Sequence, residues 1–307
     1  MKSIYFLGEC MVELKPTEPG LLKQSFAGDV FNSAVYLKRT FKDIKTGFTS
    51  VMGTDNLSRQ MFDVLLEEGI DTNTIYTNPE RTLGLYYIET DHTGERSFTY
   101  WRNQSAARTI VKYLDDSALT VLGEADYVFV SGISLAVIAP EQRELFWQKL
   151  ELLKDQGVAI IFDPNYRARL WASEDEAKAQ FTKALEFADI VMPGVEDFTA
   201  LYDIHTAEAL LEFCKPFQIQ EIIIKNGPGV VISHYAGETQ QHTITPVKNV
   251  VDTTSAGDAF NGVYLGARLS GQSIADAVVI AAKAAGTVIQ FPGAIIPAQD
   301  YANVMLG

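Results

Sequence analysis

Only two cysteines, Cys10 and Cys214, occur in 307 residues, and they lie far apart in sequence. That excludes a disulfide framework or a cysteine zinc site and suits reduced thiols. The four histidines, His92, His205, His234 and His242, show no metal-ligand spacing. Positive charge is scarce: 25 Lys and Arg stand against 39 Asp and Glu, a formal net charge of −14. A nucleic-acid binder would carry a basic face, so that class is set aside. An acidic chain that binds anions must gather its few cations locally, which makes each Arg or Lys beside a motif informative. No apolar run approaches the length of a membrane span, so no membrane partner is expected. Residues 1–9 read as a buried strand whose apolar part is too short for a signal-peptide core, and a cytoplasmic protein is expected. Low-complexity linkers and solenoid repeats are also absent.

What remains is the composition of a globular chain with a sizeable core, 47% hydrophobic and 21% charged. Strand patterns at 4–8, 46–52, 127–130, 158–162, 190–192 and 221–225 are short and nearly all apolar. They alternate with helical spacings at 31–41, 57–68, 140–154, 174–187, 195–201 and 207–214, and two longer ones, 258–269 and 274–291, follow. That alternation predicts an α/β fold with a mainly parallel sheet covered on both faces. Segments 230–235 and 241–245 could be antiparallel additions. The β-rich runs 83–90 and 96–101 flank the turn signal Asp91-His92-Thr93-Gly94 and predict an inserted hairpin. With residues 13–28 it could form a small sheet beside the main one. Ligands in such folds bind at the carboxyl ends of the strands, where Gly132, Asp163 and Asn226-Gly227 fall.

The most informative segment is Val251-Asp252-Thr253-Thr254-Ser255-Ala256-Gly257-Asp258-Ala259-Phe260-Asn261. Three small residues precede a helical pattern, where open N–H groups and the helix dipole attract an anion. A carboxylate there can take a proton from an attacking hydroxyl, and the two together are what phosphoryl transfer to an alcohol requires. The plainer reading is a capped helix with a tight entry. No Walker A sequence and no protein-kinase motif set occur, so a kinase would need another scaffold.

This segment resembles the carboxy-terminal signature of the ribokinase-like (PfkB) sugar kinases. Phe26-Ala27-Gly28-Asp29-Val30-Phe31-Asn32-Ser33-Ala34 resembles their amino-terminal Gly-rich segment. Within that family the chain looks most like the 2-keto-3-deoxygluconate kinases, through Gly8-Glu9-Cys10-Met11-Val12-Glu13-Leu14, Tyr100-Trp101-Arg102-Asn103, Phe162-Asp163-Pro164-Asn165-Tyr166-Arg167 and Gly293-Ala294-Ile295-Ile296-Pro297. The resemblance implies one three-layer α/β sandwich over 1–307, with small β-sheet lid segments near 10–28 and 83–104.

It further implies that Asp258 is the catalytic base and that Ser255, Ala256 and Gly257 form the anion hole. These relatives usually have Gly where Ser255 stands, so a negative φ is expected there. Gly28, Asp29 and Asn32 would grip sugar hydroxyls, with Tyr86, Tyr100 and Trp101 packed over the sugar. Arg102 and Arg167 would hold a sugar carboxylate, a group that an acidic protein can bind only with local cations. Asn165, Arg167, Lys225, Gly227 and Gly229 would serve the nucleotide. ATP with Mg²⁺ is implied, and K⁺ near Asp252 could join them. Many relatives carry Asn-x-x-Glu where this chain has Gly194-Val195-Glu196-Asp197, which leaves Glu196 and Asp197 as candidates for magnesium contact through water. The implied partners are 2-keto-3-deoxygluconate, ATP and further copies of the chain in a homo-oligomer. Two alternatives stay open: the same fold acting on another sugar, such as fructose or a related keto-sugar acid, and a sugar-binding protein without catalysis.

Overall fold

The computed structural model describes residues 1–18, 20–90 and 96–305. The turn signal at 91–94 lies outside the described residues. Nine strands form one sheet in the spatial order Glu238–Thr243, Val230–Tyr235, Glu221–Asn226, Ile190–Val191, Ala159–Asp163, Tyr127–Ser131, Ser3–Leu7, Lys45–Met52 and Ile75–Thr77. Every neighbouring pair from Glu221–Asn226 to Ile75–Thr77 is parallel. The two strands beyond it are antiparallel additions, as expected.

Strand geometry divides the core. Successive side chains point to opposite faces. Tyr5 and Leu7 therefore join one buried cluster, and Ile4 and Phe6 the other. Val128 and Val130 likewise separate from Phe129, and Ile222 and Ile224 from Ile223. Helices cover each face, so the middle residues of most parallel strands are apolar; strand Lys45–Met52 differs, with Thr46, Thr49 and Ser50 buried. On one face, helix Asp29–Thr40 crosses helix Ala256–Leu269 closely. A Cβ on Gly262 would lie 2.0 Å from the Ser33 carbonyl oxygen, so only glycine permits that crossing.

Four strands make the smaller sheet, in the order Leu21–Ala27, Met11–Glu18, Gly84–Thr90 and Arg96–Trp101. Met11, Ala27, Tyr86, Ile88 and Ala294 pack together at its base. Among the described residues no helix is long and apolar enough to cross a membrane.

Several boundaries differ from the sequence reading. Helix Ala256–Leu269 begins two residues before Asp258, and helix Ile274–Val288 ends before Phe291. The expected helix at 140–154 is a 3₁₀ turn, Pro140–Gln142, followed by helix Arg143–Asp155.

Candidate active site

The carboxyl ends of the parallel strands meet the N-termini of two helices here. Helix Asp29–Thr40 follows Gly28, whose backbone runs against the preceding loop. A Cβ on Gly28 would lie 2.4 Å from the Glu9 carbonyl oxygen. That close approach brings Asn32 to the signature helix, where its Nδ2 donates to Asp258 Oδ2 at 2.8 Å. Asp29, on the same turn, accepts from Asn165 Nδ2 at 2.9 Å. Asn165 holds a left-handed backbone, φ 33°, one residue after Pro164.

Asp258 is the third residue of its helix and is half-buried. Burial pushes its carboxyl up to about 7, and the nearby charges of Asp29 and Asp163 add to this against the Asn32 hydrogen bond and Lys225. Asp29 is also raised, mainly by burial. Asp197 reaches about 7 through burial and the charge of Asp163, opposed by Arg167 and Lys225. Anions would therefore enter a carboxylate-rich site, and the compensating groups are Lys225, Arg167 and the helix N-terminus.

The backbone that leads into the helix departs from expectation at Ser255. Its φ is +66°, the left-handed region, so the expected negative value is wrong. The turn geometry that glycine would supply is kept, and serine carries the strain. Its Oγ is buried without a hydrogen-bond partner among the described residues. Of the three anion-hole candidates, Ala256 already donates its N–H to Thr253 O at 3.3 Å. Ser255 and Gly257 supply the N–H groups of the type a first helical turn leaves open.

Lys225 sits near the end of strand Glu221–Asn226, with its Nζ 3.9 Å from where a Cβ on Gly257 would lie. Gly227, at φ 58°, and Gly229 form the exposed hairpin turn that follows. Arg167 is about half exposed and donates to Tyr166 O at 2.8 Å and Asp197 Oδ1 at 3.4 Å. Arg169, two residues on, is directed elsewhere, 4.3 Å above the Tyr100 ring and bonded to its hydroxyl at 3.1 Å. Asp197 also accepts from Tyr166 N at 3.0 Å, whereas Glu196 is exposed. The Asp252 carboxylate accepts from Thr254 N at 3.0 Å and Gly293 N at 2.7 Å, which ties the signature to the C-terminal loop.

In the small sheet, cross-strand register aligns Ser25, Glu13, Tyr86 and Tyr100 in one row. Ser25 Oγ and Tyr86 OH both donate to Glu13, and the Tyr86 and Tyr100 rings stack 5.7 Å apart. Trp101 does not join that row: alternation puts it on the opposite face, 59% exposed. Arg102 is buried and donates to Glu9 Oε2, with Glu9 Oε1 and Arg102 Nε lacking partners among the described residues.

Four polar residues here were not singled out by sequence reasoning: Glu9, Glu13, Asn261 and, in its pairing, Asp163. Glu13 carried a usable signal, a lone acid facing Ser25 in adjoining strands. Glu9 carried little, since its partner lies 93 residues away.

A mainly parallel sheet, a carboxylate at a helix start and a small second sheet frame this site, and comparison with known proteins gives its class. Residues 1–300 match the pfkB family of carbohydrate kinases, and the chain belongs to that family as an ATP-dependent sugar kinase. A 2-dehydro-3-deoxygluconokinase from Haemophilus influenzae is 40% identical over 301 residues, covering 96% of each chain. The crystal structure of a 2-dehydro-3-deoxygluconokinase from Thermotoga maritima superposes with a TM-score of 0.83 at 20% identity, covering 100% of both chains. That of a fructokinase with bound ATP from Xylella fastidiosa gives 0.85 at 21%, covering 99% and 98%. The architecture is accordingly the ribokinase-like α/β fold.

Proposed function

We propose that this kinase phosphorylates the 6-hydroxyl of 2-keto-3-deoxy-D-gluconate with ATP, in the cytoplasm, to give 2-keto-3-deoxy-6-phosphogluconate. The observation that carries the reading is Asp258, held by Asn32 at a helix N-terminus with its carboxyl raised to about 7. A base with that affinity for protons can accept one from the sugar hydroxyl near neutral pH. The hydroxyl oxygen then attacks the γ-phosphorus in line, and ADP leaves. Ser255 and Gly257 N–H groups would receive charge on the phosphoryl oxygens, in company with Lys225 and Arg167. Gly28, Asp29 and Asn32 would orient the sugar, and Tyr86 and Tyr100 would close over it. The hairpin at Gly227 and Gly229 would border the nucleotide, with Asn165 near its phosphates.

Substrate choice rests on Arg102 and Arg167, the cations offered to a sugar carboxylate. The resemblance of the whole chain to named 2-dehydro-3-deoxygluconokinases supports it. Among the described residues no cluster of three or more His, Cys, Asp or Glu is placed to hold a metal. Mg²⁺ would be carried on the nucleotide phosphates, whose charge it would screen, with Asp197 and Glu196 for contact through water. K⁺ beside Asp252 would take backbone carbonyls, because the carboxylate already accepts from two N–H groups. We also propose a homo-oligomer formed through the small sheet, whose exposed Leu21, Leu22 and Trp101 support it.

A coupled ADP-release assay tests the substrate. With ATP and Mg²⁺, 2-keto-3-deoxygluconate should exceed fructose, ribose and 2-ketogluconate in kcat/KM, over the neutral sugars by at least about a hundredfold. Preference for a neutral sugar would overturn the roles of Arg102 and Arg167.

A further inference from the structure

Lys225 is not a loose surface lysine. Its Nζ donates to Asp163 Oδ1 at 3.2 Å and to Asn261 Oδ1 at 3.0 Å. Asn261 Nδ2 closes the ring by donating to Asp163 Oδ2 at 2.7 Å. The three residues come from strand Ala159–Asp163, strand Glu221–Asn226 and helix Ala256–Leu269. Asp163 is 4% exposed and Asn261 fully buried. Only one orientation of the Asn261 amide serves both partners: its oxygen must face the ammonium and its nitrogen the carboxylate.

We propose that Asp163 and Asn261 are positioning residues that fix the Lys225 ammonium beside Gly257, where it meets the phosphates of ATP. The inference rests on the reading of Lys225 as a nucleotide contact. An unrestrained lysine loses much side-chain entropy when it docks on a ligand. Here two of its three N–H donors are already committed to buried acceptors, and the third is left for a phosphate oxygen. The pairing also explains how a carboxylate-rich site can take a polyanion: the Asp163 charge is spent on holding a cation in place. Asp163 and Asn261 touch neither phosphate nor sugar in this account and act through Lys225.

The test is a double-mutant cycle on the full-length enzyme with ATP, Mg²⁺ and the preferred sugar. Asp163→Asn keeps shape and removes charge, and Asn261→Leu keeps volume and removes both hydrogen bonds. Each should raise KM for ATP by about tenfold, the scale of one charge-assisted hydrogen bond, with sugar KM moving less than about twofold. In a Lys225→Met background the same changes should have little further effect. An ATP KM that stays level or falls in Asp163→Asn overturns the proposal, as does an equal loss with and without Lys225. Asp163→Asn, being isosteric, carries the test even where Asn261→Leu fails to fold, and calorimetric titration with MgADP gives a readout independent of turnover. A Lys225→Met enzyme with unchanged ATP KM and MgADP affinity would overturn the nucleotide reading itself. A large effect there beside a silent Asp163→Asn would sink only the positioning role.

Discussion

Asp258, the proposed base, would carry opposite signs for catalysis and for stability. As a base it works only when unprotonated, so kcat/KM should rise with pH through about 7 and then level off. A flat profile across that range would remove Asp258 from proton transfer. Its folded pKa lies above the unfolded value of 3.8. A carboxyl shifted this way contributes its full stability below the unfolded pKa and loses it as pH rises through the folded one. Asp258→Asn keeps an acceptor for Asn32 and discards the charge. At about pH 8 it should be more stable than the parent by on the order of 1–2 kcal/mol, and the gap should close toward about pH 4. Turnover should fall about 10²–10⁴-fold. Chemical denaturation at both pH values measures the first and the coupled assay the second. Equal stability at high and low pH would mean that the carboxylate is not held at a cost.

Packing of elements rests on close approaches as much as on apolar area. Gly262→Ala would drive a methyl into the Ser33 carbonyl and should cost roughly 1–3 kcal/mol, read as a lower denaturation midpoint without a change in slope. A neutral result would show that the two helices can part without loss. These elements differ in how plainly the sequence announces them. Most of the parallel strands were legible because both faces are covered, so their central residues read as an apolar run. Helix Gly132–Val137 was not, since five of its six residues are buried and no amphipathic period survives. The 3₁₀ segment Ala106–Tyr113 and strand Ile75–Thr77 are likewise set by neighbours, not by local pattern. In the candidate site, Asp258 and Asn32 stand out in the sequence because short segments carry them, whereas Lys225 entered through the family resemblance alone. The Glu9–Arg102 pair and the Asp163–Asn261 ring join residues far apart in sequence, and no local pattern records such a meeting. Ser255 misled for a different reason: its residue type argues for negative φ, and the surrounding turn overrides it.

At the scale of the whole molecule, the small sheet exposes Leu21 and Leu22 at 57% and 52%. If that surface pairs copies of the chain, Leu22→Glu should halve the mass or more by light scattering. A parent that already runs as a monomer would dismiss the pairing. The large sheet behaves differently. Strand Ser3–Leu7 gives alternate residues to two cores, so neither core can loosen without stripping one side of the same strand. Its amides, with those of Tyr127–Ser131 beside it, should exchange hydrogen for deuterium only when the entire chain unfolds. The slowest exchange rate would then report the global free energy, and amides in the small sheet should exchange far sooner. Ser131 and Asp163 close central strands of that slab, so the proposed reacting end would be anchored where the backbone should breathe least.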